Sequence, residues 1–126
     1  MIRKRVFSEN DYGNIIVNIE CTQEEEKKLY NQQREALKDV LIKSAEEMLS
    51  EDYKVRFKAE YKQIVARAKL LNAMLRAHEK GVLDFTPSCN ITLLERQLEI
   101  MSDYALILIK RGEEEGIELN GCLWKE

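Results

Sequence analysis

Two apolar seams separated by one short turn constrain this chain more than any other feature. Phe57, Tyr61, Ile64, Ala68, Leu71, Leu75 and His78 recur at alternating spacings of four and three. Ile91, Leu94, Leu98, Met101, Ala105 and Leu108 resume the same alternation. Such spacing lines up one stripe on a helix, and two such stripes pack antiparallel with knobs in holes. Between them lies Gly81-Val82-Leu83-Asp84-Phe85-Thr86-Pro87. Gly81 stands where a helix ends in a left-handed residue, and Pro87 suits a first helical turn because it has no donor to lose. Thr86 and Asn90 are rival caps for the second helix. A helix of about 25 residues is about 40 Å long, and a hairpin of that length has one partner for each seam.

The last helix adds a second constraint. Tyr104-Ala105-Leu106-Ile107-Leu108-Ile109 is apolar at every position, and Leu93, Ile100 and Ile107 are spaced by sevens beside the first seam. A helix apolar all round is buried all round. A chain of 126 residues has little else with which to surround it, so burial between subunits of a dimer is the simplest account. A buried strand over residues 104–109 is the alternative.

Residues upstream of the seams read differently. Val6-Phe7 and Ile15-Ile16-Val17-Asn18-Ile19 have strand composition, and Ser8 to Gly13 between them is polar and ends in Gly. A two-stranded ribbon is marginal alone, and the tail offers a third strand in Ile117-Glu118-Leu119 and Cys122-Leu123-Trp124. Thr22-Gln23-Glu24-Glu25 is a capping box, with Glu24, Glu25 and Glu26 at the positive end of the helix dipole. Leu29, Leu37, Val40, Leu41, Ala45 and Met48 form the apolar face of the helix that follows. Ser50-Glu51-Asp52 can end it and cap the next helix; one continuous helix over 23–80 is the alternative.

The expected fold is therefore mainly α with a small β element, a long antiparallel helical hairpin plus an N-terminal β-ribbon, assembled as an oligomer. The expected single domain divides into a ribbon (1–21), a helical arm (22–80), a loop (81–90), a C-terminal helix (91–116) and a strand-like tail (117–126).

Charged residues make up 34% of the chain with a net charge of -3. The basic residues of the second helix form no stripe with interleaved aromatics, which argues against nucleic acid as a partner. No apolar run approaches the roughly 18 residues of a membrane span, and the amino terminus lacks a signal-peptide core, so a cytosolic protein is expected. Cys21, Cys89 and Cys122 are far apart with no Cys-x-x-Cys, which reads as reduced thiols. With one histidine, His78, on an apolar seam, neither a zinc site nor a catalytic base is expected. No nucleophile motif, phosphate-cradling Gly loop or metal-ligand cluster stands out, so no enzyme, metal or cofactor is expected.

Binding has better material. Phe85 lies at the turn beside Asp84; it is either a plug for the hairpin end or a platform for a base. Amides at the start of the helix after Pro87 suit a phosphate, and Asn90 can both donate and accept. Lys110 and Arg111 follow the apolar run. They are either cations spaced by four from Glu114 and Glu115, complementing the helix dipole, or ligands for an anion.

From Tyr61 to Ile117 the chain resembles the helical hairpin of small tailed-phage proteins. The residues that carry the likeness are Leu93-Leu94-Glu95-Arg96-Gln97-Leu98-Glu99-Ile100-Met101, Tyr104, Ile107-Leu108, Arg111 and Glu115-Gly116-Ile117. In layout it is most similar to the phage anti-Thoeris sponge family, oligomers that sequester cyclic ADP-ribose-type signals without cleaving them. The resemblance implies a pocket between subunits of a homodimer or higher oligomer, in the cytoplasm of an infected bacterial host. Phe85 would stack on adenine, with Asp84 beside it, and Asn90 would read a polar edge. Arg111, with Lys110 or Lys28, would pair with the pyrophosphate, for which a planar guanidinium is suited. Two other readings stand beside it. One is an anti-CRISPR-like inhibitor that binds another protein and mimics nucleic acid with its acidic first helix. The other is a helical structural or assembly factor.

Overall fold

The computed structural model describes residues 22–119, which form three helices: α1 (Gln23–Glu47), α2 (Tyr53–Glu79) and α3 (Ile91–Glu115). Each boundary has a local chemical cause. Thr22 and Glu25 make a reciprocal capping box at the start of α1, Thr22 Oγ1 accepting from Glu25 N–H at 3.1 Å and Glu25 Oε1 from Thr22 N–H at 2.9 Å. The chain breaks between α1 and α2, where Asp52 Oδ1 accepts from Lys54 N–H at 3.0 Å to cap α2. α2 ends in a left-handed Gly81 (φ 74°). There Gly81 N–H donates to His78 O (3.1 Å) and Val82 N–H to Ala77 O (3.0 Å), which satisfies the last carbonyls. Asn90, rather than Thr86, caps α3, its Oδ1 accepting from Thr92 N–H at 2.7 Å.

α2 is the central element. Ten of its residues are buried, against three on α1 and five on α3. Its two faces differ in kind. Phe57, Tyr61, Ile64, Ala68 and Leu75 meet Leu98, Ala105 and Leu108 of α3. On the opposite side Ala59, Ala66, Ala73 and Ala77 are buried, where small side chains let α1 approach closely. Two ion pairs flank that approach. Lys62 Nζ lies 3.2 Å from Glu47, and the Arg76 fork donates to both Glu26 oxygens at 3.1 and 3.0 Å. These pairs, with Gln23 Nε2 donating to Lys80 O, set α1 antiparallel to α2. α1 and α3 flank α2 and do not form a packed pair with one another.

The expected small β element is corrected. Among the described residues there is no strand, and the arrangement is three helices rather than a hairpin with a sheet. The ribbon expected over 1–21 and the tail beyond residue 119 lie outside the described residues. The part of the expected tail strand that is described, Ile117-Glu118-Leu119, is non-helical coil. Its alternation has another cause. Gly116 turns left-handed (φ 71°), Ile117 N–H donates to Gly112 O at 2.8 Å, and the Ile117 side chain closes the core against Phe57, Tyr61 and Leu108. Gly112 permits this fold-back, since a Cβ there would lie 3.0 Å from Ile117 O.

On α1, Leu37 is buried with Glu26 and Ser44, whereas Ala45 is exposed and Leu29 only partly covered. His78 is exposed near the end of α2 rather than packed in the seam.

Candidate functional site

Antiparallel packing of α2 and α3 divides the candidate residues between two ends. Asp84, Phe85 and Asn90 are exposed in and after the turn. Lys28, also exposed, shares that end, because the first turns of α1 lie beside the last turns of α2. Lys110 and Arg111 lie at the other end of α3. Arg111 lies 21 positions after Asn90 along α3, about 30 Å of rise. One protomer therefore does not bring these six residues into one cavity. Asn90 has also spent its side-chain oxygen on capping α3, which leaves its amide donor for other partners.

Arg111 is the best organised of the six. Its guanidinium lies 4.8 Å from the centroid of the Phe57 ring. One terminal nitrogen donates to Tyr53 Oη at 2.8 Å and Nε to Glu115 Oε2 at 3.3 Å. Tyr53 Oη in turn donates to Glu115 Oε1 at 2.8 Å. Phe57 is 2% exposed and locked in the core, so it offers a rigid face to the cation. Burial works against the charge on Arg111, but hydrogen bonding to Glu115 and the nearby Tyr53 outweigh it and hold the group charged beyond its ordinary range. Two of its five N–H donors are used in these contacts.

One step along the same groove Tyr104 Oη bonds Glu60. That carboxylate, with some burial, pushes the Tyr104 phenol above its ordinary range, against the opposing pull of Arg111 and Arg67. The hydrogen bond to Glu115 does the same for Tyr53, aided by desolvation. Tyr53 and Phe57 are neighbours of Arg111 that the sequence reading did not find. The spacing of four between Arg111 and Glu115 was visible, but contacts across 50 or more positions follow only from the register of α2 on α3.

A shallow cleft of about 340 Å³ lies beside this end, lined by Ile109, Gly112, Glu113, Gly116, Ile117, Glu118 and Leu119. Its two carboxylates and the absence of any cationic lining make it a poor anion site. Among the described residues no group of three or more His, Cys, Asp or Glu side chains is placed to hold a metal ion. No helix of the described residues is long and apolar enough to cross a membrane.

A family model described as Sequestin matches residues 51–114, half of the chain. The chain belongs to the Sequestin family. The match spans α2, the turn and nearly all of α3, the hairpin on which the resemblance to a sponge family rests. Comparison with curated proteins and with solved structures returned no match. Membership of Sequestin points to a sequestering protein that binds a small molecule. α1 lies outside the matched segment, so Lys28 is carried by a part of the chain that the family model does not cover.

Proposed function

We propose that this Sequestin protein is a phage anti-defence factor that binds a cyclic ADP-ribose-type nucleotide between subunits and sequesters it without cleaving it. The observation that carries this reading is the state of Arg111. It is a charged, partly exposed fork, fixed by Phe57, Tyr53 and Glu115 beside an apolar helix face. Fixing the fork in advance removes part of the ordering cost of binding. A pyrophosphate takes the uncommitted N–H donors. At the other end of the hairpin Phe85, 50% exposed, stacks on the base, and the Asn90 amide and Lys28 supply polar contacts. The two ends meet only across a subunit boundary, which supports a shared pocket in a homodimer. Capture needs affinity and no turnover.

Mimicry of nucleic acid by the acidic first turn of α1 has less support. Glu26 is 4% exposed and bound to Arg76, so the three glutamates do not present one acidic face.

Calorimetric titration with a panel of cyclic ADP-ribose isomers and cyclic oligonucleotides tests the proposal, followed by heat release of the bound molecule. One ligand is expected to bind tightly and to be recovered intact. Arg111→Ala is expected to weaken it by about 10- to 100-fold, the scale of a charge-assisted hydrogen bond, with circular dichroism confirming an intact fold. Absence of binding across the panel overturns the reading. Recovery of a cleaved product overturns capture without turnover.

A further inference from the structure

The outward face of α3 is apolar and ordered. Leu93, Ile100 and Ile107 are 61%, 51% and 56% exposed, and their spacing by sevens lays them along one line of the helix. Buried Leu98, Ser102, Ala105, Leu108 and Gly112 occupy the opposite side, against α2 and the start of the tail. The line is centred on Ile100 and carries different polar residues on its two flanks. At about 100° per residue, Arg96 and Asp103 fall on one flank, and Gln97 and Tyr104 on the other.

We infer that this face is closed by a second copy of the chain, with α3 running antiparallel to the partner's α3 about a two-fold axis at Ile100. Such a pairing sets residues equal steps before and after Ile100 level with one another. Ile100 then meets the partner's Ile100, and Leu93 meets the partner's Ile107. Arg96, four residues before the axis, falls within one residue of the partner's Asp103, three residues after it. Gln97 falls equally close to the partner's Tyr104. A two-fold axis keeps each flank facing its own kind, so Arg96 and Asp103 meet on one side and the amide and phenol on the other. Asp103 makes no ion pair among the described residues, and Arg96 is exposed with only Glu99 as its ion-pair partner. The charges are thus self-complementary for an antiparallel pair. A parallel pair would instead face the Arg96 and Asp103 flank with the partner's Gln97 and Tyr104 flank, so neither charge would meet its opposite across the interface.

The same axis has a consequence for the site. Lys110 lies ten residues after Ile100 and Asn90 ten before it, so Lys110 and Arg111 come level with the partner's Asn90, next to the turn that holds the partner's Phe85. At about 100° per residue Arg111 and Asn90 fall on the Gln97 and Tyr104 flank and Lys110 on the other. The axis therefore sets Arg111, about 30 Å from Asn90 in one protomer, on the same flank as the partner's Asn90, twice per dimer. The pairing stands on α3 alone; the two composite sites rest on the capture reading above.

Ligand-free cross-linking tests the pairing. In a chain with Cys21, Cys89 and Cys122 replaced by Ser, Ile100→Cys is expected to form a disulfide dimer under mild oxidation. Leu93→Cys alone is expected to stay uncross-linked and to pair when mixed with Ile107→Cys. By sedimentation, Arg96→Asp is expected to weaken the dimer about tenfold or more, and the added Asp103→Arg to restore it. These exposed positions leave the helix intact, which circular dichroism verifies. A monomer at every concentration, or Leu93→Cys coupling to itself, overturns the inference. Correct cross-linking with no ligand bound from the panel removes the capture reading alone. Tight ligand binding by a protein that stays monomeric removes the pairing and the shared pocket but leaves sequestration standing.

Discussion

The two ends of the hairpin differ in how much the fold decides for them. At the far end, Tyr53, Phe57, Arg111 and Glu115 hold one another through an aromatic face and three hydrogen bonds. At the turn end, Asp84 and Phe85 stand in solvent. What is fixed there is backbone: the left-handed Gly81 and the Asn90 cap. One end is organised before any ligand arrives, and the other has side chains free to be ordered by one. A capture site divided in this way sets its electrostatics in advance and leaves the aromatic contact adaptable. The cost of ordering Phe85 then falls on the binding step.

The largest expected effect breaks the comparison at its rigid end. Phe57→Ala removes a ring that is 2% exposed and is expected to cost about 3–5 kcal/mol by urea denaturation, while also unseating Arg111. Phe85→Ala, at a half-exposed ring, is expected to change stability by no more than about 0.5 kcal/mol. Equal costs at the two rings would mean that the turn is as tightly built as the far end. An intermediate effect is expected where α1 braces the turn end. Arg76→Met leaves the 4%-exposed Glu26 carboxylate without its fork. The expected loss is about 1–3 kcal/mol, toward the lower figure because Arg76 itself is half exposed. A loss near zero would show that α1 does not brace this end.

The hairpin was legible because its large residues repeat on the helical period. Phe57, Tyr61, Ile64 and Leu75 face Leu98 and Leu108 as their spacing implies. The Thr22–Glu25 capping box, the Asp52 cap and the left-handed Gly81 were legible for the same reason: each is chemistry within a few residues of chain. The second face of α2 was not. Ala59, Ala66, Ala73 and Ala77 repeat on the period too, but alanine favours helices wherever it stands, so its recurrence does not announce a packing surface. Ile117 misled because alternation near a chain end fits both a strand and the apolar contact that closes a helix after glycine. The residues of the candidate site were nameable one by one, but their grouping was not. Tyr53 reaches Arg111 across 58 positions, and that contact depends on how α2 and α3 are set against each other.

The smallest expected effect probes the rigid end through its phenols. Tyr53 is held above its ordinary value of 10.0 by hydrogen bonding to Glu115, and Tyr104 by hydrogen bonding to Glu60. A phenol whose folded value is raised binds its proton more tightly in the folded chain than in the unfolded one. Its contribution is complete below about pH 10 and is lost as the pH climbs through the folded value. Phenolate absorbance is therefore expected to show a component in the folded protein that titrates later than in the urea-unfolded protein. Tyr53→Phe and Tyr104→Phe are each expected to remove part of it, and the denaturation midpoint is expected to fall less steeply above pH 10 in the double variant than in the parent. If the late component survived both substitutions, the carboxylates of Glu115 and Glu60 would not be holding these phenols. Arg111 would then lack the braced neighbourhood that sets the far end apart from the turn.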